Sequence, residues 1–266
     1  MTKTSRRAPF VFAAALLALG ATATLAHADD FYWKGPVARG KTVRVKNING
    51  AIHVVRAKGN QLEVTAIKTS HKHDPEIVKI EVIQSEEGVT FCALYPPEPG
   101  GKPNVCEAGS ESHTNTNESD VWVAFKVLLP DGVDLAAATV NGEVEATGLT
   151  GTVSATTVNG SVHVETRGYA EANTVNGDVL VAMTNQNWPD ALDFRTVNGS
   201  IKIEVPGSVN ADLRAETLNG DIDSDFPITL VGKVKKNRMR GTIGKGGSEL
   251  SLATVNGSIE LRRTAQ

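Results

Sequence analysis

Thr-Val-Asn-Gly occurs five times in this chain, at residues 139–142, 157–160, 174–177, 196–199 and 254–257, and Thr-Leu-Asn-Gly once, at 217–220. An earlier relative, Asn47-Ile48-Asn49-Gly50, stands far upstream. A fixed motif recurring mostly at intervals of 17 to 22 residues predicts one supersecondary unit stacked on copies of itself. The structural repeat is carried by Asn141-Gly142, Asn159-Gly160, Asn176-Gly177, Asn198-Gly199, Asn219-Gly220 and Asn256-Gly257.

Aligned on these asparagines, the third residue after Asn is β-branched every time: Ile52, Val144, Val162, Val179, Ile201, Ile222 and Ile259. The sixth residue before Asn is Leu135, Val153, Ala170, Leu192, Leu213 or Leu250, and the fourth before is Ala, Phe or Leu. Polar residues such as Ser154, Glu171, Asp193, Arg214 and Ser251 lie between them. Both arms therefore alternate with period two, the pattern of half-buried strands. Asn-Gly supplies a tight corner with positive φ. Asn-Gly also favours hairpins, but hairpins do not require the same side chains at the same offsets in copy after copy. Rungs stacked about 4.8 Å apart do, because like residues then form ladders. The expected fold is all-β: a single-chain β-solenoid resembling a parallel β-helix.

The interval from Asn219 to Asn256 is 37 residues, which predicts a degenerate rung turning at Arg240-Gly241-Thr242-Ile243. Between Gly50 and Thr139 the motif is missing, although residues 61–68, 76–84, 89–94 and 121–129 still read as strands. Residues 29–130 are expected to cap or begin the solenoid, and residues 131–266 to form its repeat-bearing body. Residues 95–119 are rich in Pro, Gly, Ser, Asn and Glu and read as an insertion.

Lys3, Arg6 and Arg7 precede an apolar run, and Ala26-His27-Ala28 offers small residues for cleavage. Residues 1–28 thus read as a secretory signal peptide, cleaved after about Ala28, too short and wrongly flanked for a membrane span. The expected location is the periplasm or the outside of the cell, with no transmembrane segment after cleavage. Cys92 and Cys106 are the only cysteines, and in an oxidising compartment they are expected to form a disulfide clasping a loop at about 92–119. The leader holds three basic and no acidic residues, so the mature chain keeps 24 of the 27 Lys and Arg against 30 Asp and Glu, a formal charge of −6. That acidity argues against nucleic acid as a partner.

The early Asn49-Gly50 unit, the segment Phe-Lys-Val-Leu-Leu-Pro-Asp-Gly-Val at 125–133, the Thr-Val-Asn-Gly run and the closing Gly-Thr-Ile-Gly-Lys-Gly-Gly at 241–247 resemble the bacterial putative-adhesin family of unknown function. That family comprises extracytoplasmic β-solenoids related to the head-GIN domain. The resemblance covers most of the mature chain. It implies a repetitive β fold and an adhesin-like or scaffolding role toward an envelope protein or polysaccharide, and it carries over no catalytic residue and no cofactor.

Several clusters are candidate sites. Asp221, Asp223 and Asp225 alternate along one strand and offer oxygen ligands of the kind calcium takes, although the glycine and terminal acid of a calcium loop are missing. The His71-Lys72-His73-Asp74 group could bind a transition metal but equally suits a polar turn ended by Pro75. Lys233, Lys235, Lys236, Arg238 and Arg240 form a possible contact patch for an anionic polymer, or a charged edge that discourages aggregation. Trp188 sits in a lengthened loop, either presenting a ligand surface or folding over the core. Catalysis is not expected. The alternative, a β-helical carbohydrate-active enzyme or sugar-binding module, meets a column of mixed sign, Glu145, His163, Leu180, Lys202, Asp223 and Glu260. Aromatic residues, the usual platforms for sugars, are only 5% of the chain.

Overall fold

Strict alternation buries every second side chain of each repeat arm, and a corner between the arms lets the two buried faces meet. The computed structural model describes residues 26–27, 31–109, 119–230 and 236–264. The expected signal peptide lies outside the described residues apart from Ala26–His27, which pairs with Thr69 and Ser70 at a sheet edge.

The arms before the corners form one sheet: Thr42–Lys46, Asp134–Ala138, Val153–Thr156, Ala170–Asn173, Leu192–Arg195, Glu249–Ala253 and Ala211–Glu216 lie side by side and parallel. The arms after the corners form the second: Ile52–Arg56, Val144–Leu149, Val162–Thr166, Val179–Met183, Ile201–Val205, Ile259–Arg263 and Ile222–Ser224. The register is the one the alignment demands, with Ile52, Val144, Val162, Val179, Ile201, Ile259 and Ile222 directly stacked. They face Leu135, Val153, Ala170, Leu192 and Leu250 across a dry core. The fold is therefore the expected β-solenoid. Among the described residues no helix is long and apolar enough to cross a membrane.

Stack order differs from chain order at the carboxyl end. The asparagine bridges run 49, 141, 159, 176, 198, 256, 219, so the last rung slides between the rungs of Asn198 and Asn219. The degenerate rung does not exist. Arg238–Ile243 instead runs antiparallel to Ala211–Glu216, with Arg240 opposite Arg214, and also to Ile228–Leu230. Burial explains the choice. Leu250, Leu252, Ile259 and Leu261 equip both arms of the last rung for an interior place. By contrast, the second arm of the Asn219 rung is only three residues long and flanked by aspartates, which suits an edge where charge blocks further pairing.

At the amino end one further rung and three antiparallel strands complete the stack. Gly88–Leu94 and Trp122–Leu129 make a rung beyond Thr42–Arg56. Antiparallel Lys79–Ser85, Gln61–Ser70 and Phe31–Pro36 close the two sheets. Trp33 meets Phe91 edge-on at 5.3 Å. Cys92 and Cys106 are joined in a disulfide, as expected from their isolation.

The expected positive φ is present at Gly50, Gly142, Gly177, Gly199 and Gly257, but close packing requires glycine at every motif position. Gly160 and Gly220 lie outside the left-handed range, yet a Cβ on Gly160 would sit 2.1 Å from the Gly142 carbonyl oxygen, and one on Gly220 2.0 Å from that of Gly257. Backbone of one rung lies against backbone of the next, and only glycine lets them approach so closely. Gly160→Ala should destabilise by about 1–3 kcal/mol or more in urea unfolding. Gly59→Ala, with open space around it, should change stability by less than about 0.5 kcal/mol.

Candidate functional site

The corners form a continuous hydrogen-bonded edge. Each motif Thr is buried and its hydroxyl donates to the glycine carbonyl of the neighbouring rung: Thr139 to Gly50 at 3.0 Å, Thr157 to Gly142 at 2.9 Å, Thr174 to Gly160 at 2.8 Å. Each Asn side-chain N–H donates to the next side-chain oxygen: Asn141 to Asn49, Asn159 to Asn141, Asn176 to Asn159 and Asn198 to Asn176, all at 2.8 Å. Asn256 to Asn198, at 2.7 Å, and Asn219 to Asn256, at 2.8 Å, complete the series. At the amino end Asn47 replaces Thr and reaches the Val123 carbonyl at 2.8 Å. There the Asn49 backbone carbonyl accepts from the Tyr95 hydroxyl at 3.0 Å. Burial pushes the Tyr95 phenol above its ordinary range, against the opposing pull of the Asn49 backbone N–H, which donates to its oxygen at 3.2 Å. The cysteine-clasped insertion thus ends the ladder.

A trough crosses the outer face of the first sheet near its carboxyl end. Adjacent columns read Asp193, Ser251, Arg214, Arg240 and Arg195, Ala253, Glu216, Arg238 across four neighbouring strands. Ser251 and Ala253 are small, so the inserted strand forms the floor of a cavity of about 530 Å³ between charged walls. On one wall Arg195 pairs with Asp193 at 2.7 Å. On the other stand Arg214 and Glu216, and from the next strand, outside the cavity lining, Arg238 and Arg240 join Arg214 on Glu216, at 3.2, 2.9 and 3.4 Å respectively. Three guanidinium groups against one carboxylate leave this cluster positive beside the cavity, whose own lining also holds Glu249; Lys236 is exposed. Their hydrogen bonding, led by Arg240, outweighs partial desolvation and holds Glu216 below the usual carboxylate range.

Of the expected contact patch, Arg238, Arg240 and Lys236 are thereby placed, while Lys233 and Lys235 lie outside the described residues. Arg214 and Arg195 join the patch from other strands. Their outward positions were readable in the alternation, but their adjacency was not, because it depends on the inserted rung.

Two of the three aspartates are drawn to an arginine. Arg262 reaches Asp223 at 2.9 Å, Asp225 at 3.1 Å and Glu260 at 3.3 Å. Asp221 takes no part in this cluster, and among the described residues no three His, Cys, Asp or Glu are grouped to hold a metal. His71 and His73 lie in a turn tied by Asp120, whose carboxylate accepts the backbone N–H of residues 71, 72 and 73 and pairs with the His73 ring at 2.7 Å. Partial desolvation opposes, but these bonds prevail and hold Asp120 well below the carboxylate range. Asp74 caps the short 3-10 turn Pro75–Ile77 through the Glu76 N–H. Trp188 is folded into the core, 5% exposed. The mixed column on the second sheet runs His53, Glu145, His163, Leu180, Lys202, Glu260, Asp223, with Lys202 paired to Glu204 at 2.8 Å and His53 to Glu145 at 3.0 Å.

The sequence model of one family, described as Toastrack DUF4097, matches residues 107–262, more than half of the chain. The chain belongs to the Toastrack DUF4097 family. Its match takes in every Thr-Val-Asn-Gly unit, whereas the Asn49-Gly50 rung precedes it. Among solved structures, the Toastrack chain is similar to a putative cell adhesion protein from Clostridium sporogenes, at 11% identity and a TM-score of 0.43, covering 89% of this chain and 100% of that one. A putative adhesin from Bacteroides fragilis shows 10% identity and a TM-score of 0.23, covering 88% and 97%. One from Parabacteroides merdae shows 9% and 0.24, covering 87% and 95%. No curated protein matches.

The depressed Glu216 acidity sets a pH dependence. Its pairing contributes stability above the carboxyl's unfolded value, and that contribution disappears as pH falls through the lower folded value. Wild type should therefore be more stable than Glu216→Gln at neutral pH, and the two melting curves should converge in acid. A gap that persists into strong acid would refute the ion-pair account.

Proposed function

We propose that this Toastrack protein is a non-catalytic, extracytoplasmic binding or scaffold module that holds an anionic envelope polysaccharide on the arginine cluster bordering the trough of its first sheet. The observation carrying this reading is the cluster of Arg214, Arg238 and Arg240 around the single Glu216. A trough two strand spacings wide, about 9.6 Å, suits an extended sugar chain lying along the strands. Arginine's planar fork suits carboxylate, sulfate or phosphate groups on it. Recognition by charge also fits a chain poor in the flat aromatics on which neutral sugars stack. In this reading residues 29–130 cap the module and residues 131–266 carry the binding face. The periplasmic or secreted location is supported by the signal-peptide pattern and by the Cys92–Cys106 disulfide, which persists in oxidising compartments.

The test is retention on immobilised lipopolysaccharide and on polygalacturonate, comparing wild type with an Arg238→Ser/Arg240→Ser variant. Arg214 remains in that variant to keep Glu216 paired. Wild type should bind and elute as salt shortens the screening length, and the variant should bind about tenfold more weakly while still melting cooperatively, at a temperature lowered only by the lost Glu216 pairing. Equal binding by the two proteins, or binding insensitive to salt, would overturn the reading.

A further inference from the structure

Asn-Gly is also a reactive sequence. The glycine nitrogen, unshielded by any Cβ, can attack the preceding side-chain carbonyl carbon. In the stack this chemistry is held in check by the neighbouring rung. Gly142, Gly160, Gly177, Gly199 and Gly257 each donate their N–H to the next rung's asparagine carbonyl, at 2.9 to 3.0 Å. Gly50 does the same at 2.7 Å. Their asparagine side-chain oxygens are each occupied by the amide of the following rung. To cyclise, such an asparagine must leave the ladder and its glycine must break a bond.

The last position in the stack is different. Asn219 donates to Asn256, but among the described residues nothing donates to its side-chain oxygen, and the Gly220 N–H has no acceptor. The end is also open to water. Leu218 is 65% exposed, whereas the matching Val158 is 37% exposed, and Gly220 is exposed where the other motif glycines are half-buried or buried.

We infer that Asn219 is a site of spontaneous, self-catalysed deamidation, and that the amide ladder protects the other six Asn-Gly pairs. The Gly220 nitrogen loses its proton to solvent base and bonds to the Asn219 side-chain carbon. The bond to the side-chain nitrogen breaks, and that nitrogen leaves as ammonia. Water then opens the five-membered succinimide to aspartate or isoaspartate, so one water is consumed for each ammonia released. No oxidant or cofactor is needed. The product carboxylate cannot donate to Asn256, so the terminal ladder bond is lost. It also adds a negative charge beside Asp221 and Asp223. The modification thus loosens the Asn219 rung and leaves the interior of the stack intact.

The experiment is incubation of the folded full-length protein at mildly alkaline pH, with proteolytic mapping by mass spectrometry. Hydrolysis in heavy-oxygen water marks the new carboxylates, and chromatography separates aspartate from isoaspartate. Asn219 should convert at least about tenfold faster than Asn159 or Asn176, since two hydrogen bonds fewer restrain it. In urea, where no ladder exists, the seven sites should convert at similar rates. Equal rates in the folded protein would overturn the inference. So would an interior site converting fastest, or no conversion at Asn219 over the time in which the unfolded chain is consumed.

Discussion

Backbone lies directly on backbone at the Asn-Gly corner, and the rest of the molecule follows from that contact. A Cβ on any motif glycine would collide with the carbonyl of the rung below, so the corners stack at strand spacing or not at all. Once stacked, the buried threonine hydroxyls meet the glycine carbonyls, and the asparagine amides align head to tail. Each bond is modest alone, about 1 kcal/mol net. In series they polarise one another and fix the register of both sheets at once. A one-residue slip would turn every valine of the inner column outward.

Ladders of this kind must end, and the two ends are treated differently. At the amino end the ladder meets Asn47 of its own corner, and Tyr95 and Ser119 from the segment that follows the strand bearing Cys92. At the other end the short, aspartate-flanked arm Ile222–Ser224 stands at the sheet edge, with Arg262 gathering Asp223 and Asp225. Charge and brevity protect this edge from pairing with other chains. The open ladder end that remains is where an asparagine is chemically vulnerable.

The insertion of the last rung connects architecture to surface. Had the rungs stacked in chain order, Leu192–Arg195 would lie beside Ala211–Glu216, bringing the walls of Asp193 and Arg195 against Arg214 and Glu216. Glu249–Ala253 enters between them and lays Ser251 and Ala253 as a floor. The trough is therefore a product of topology. No segment of the chain contains it.

Sequence alone determined the rung, its corner, the inward column and the disulfide, because each follows from local alternation, from stacking of identical residues, or from there being only two cysteines. It also marked Arg238 and Arg240 as part of a charged patch. Only the tertiary structure decided the order of rungs, since order is set by which pair of arms has more apolar surface to bury, a comparison among distant segments. The same holds for the tempting Arg240-Gly241 corner. Its glycine is required by packing against Ile228 and Thr229 in an antiparallel neighbour, a contact that no periodicity along the chain encodes.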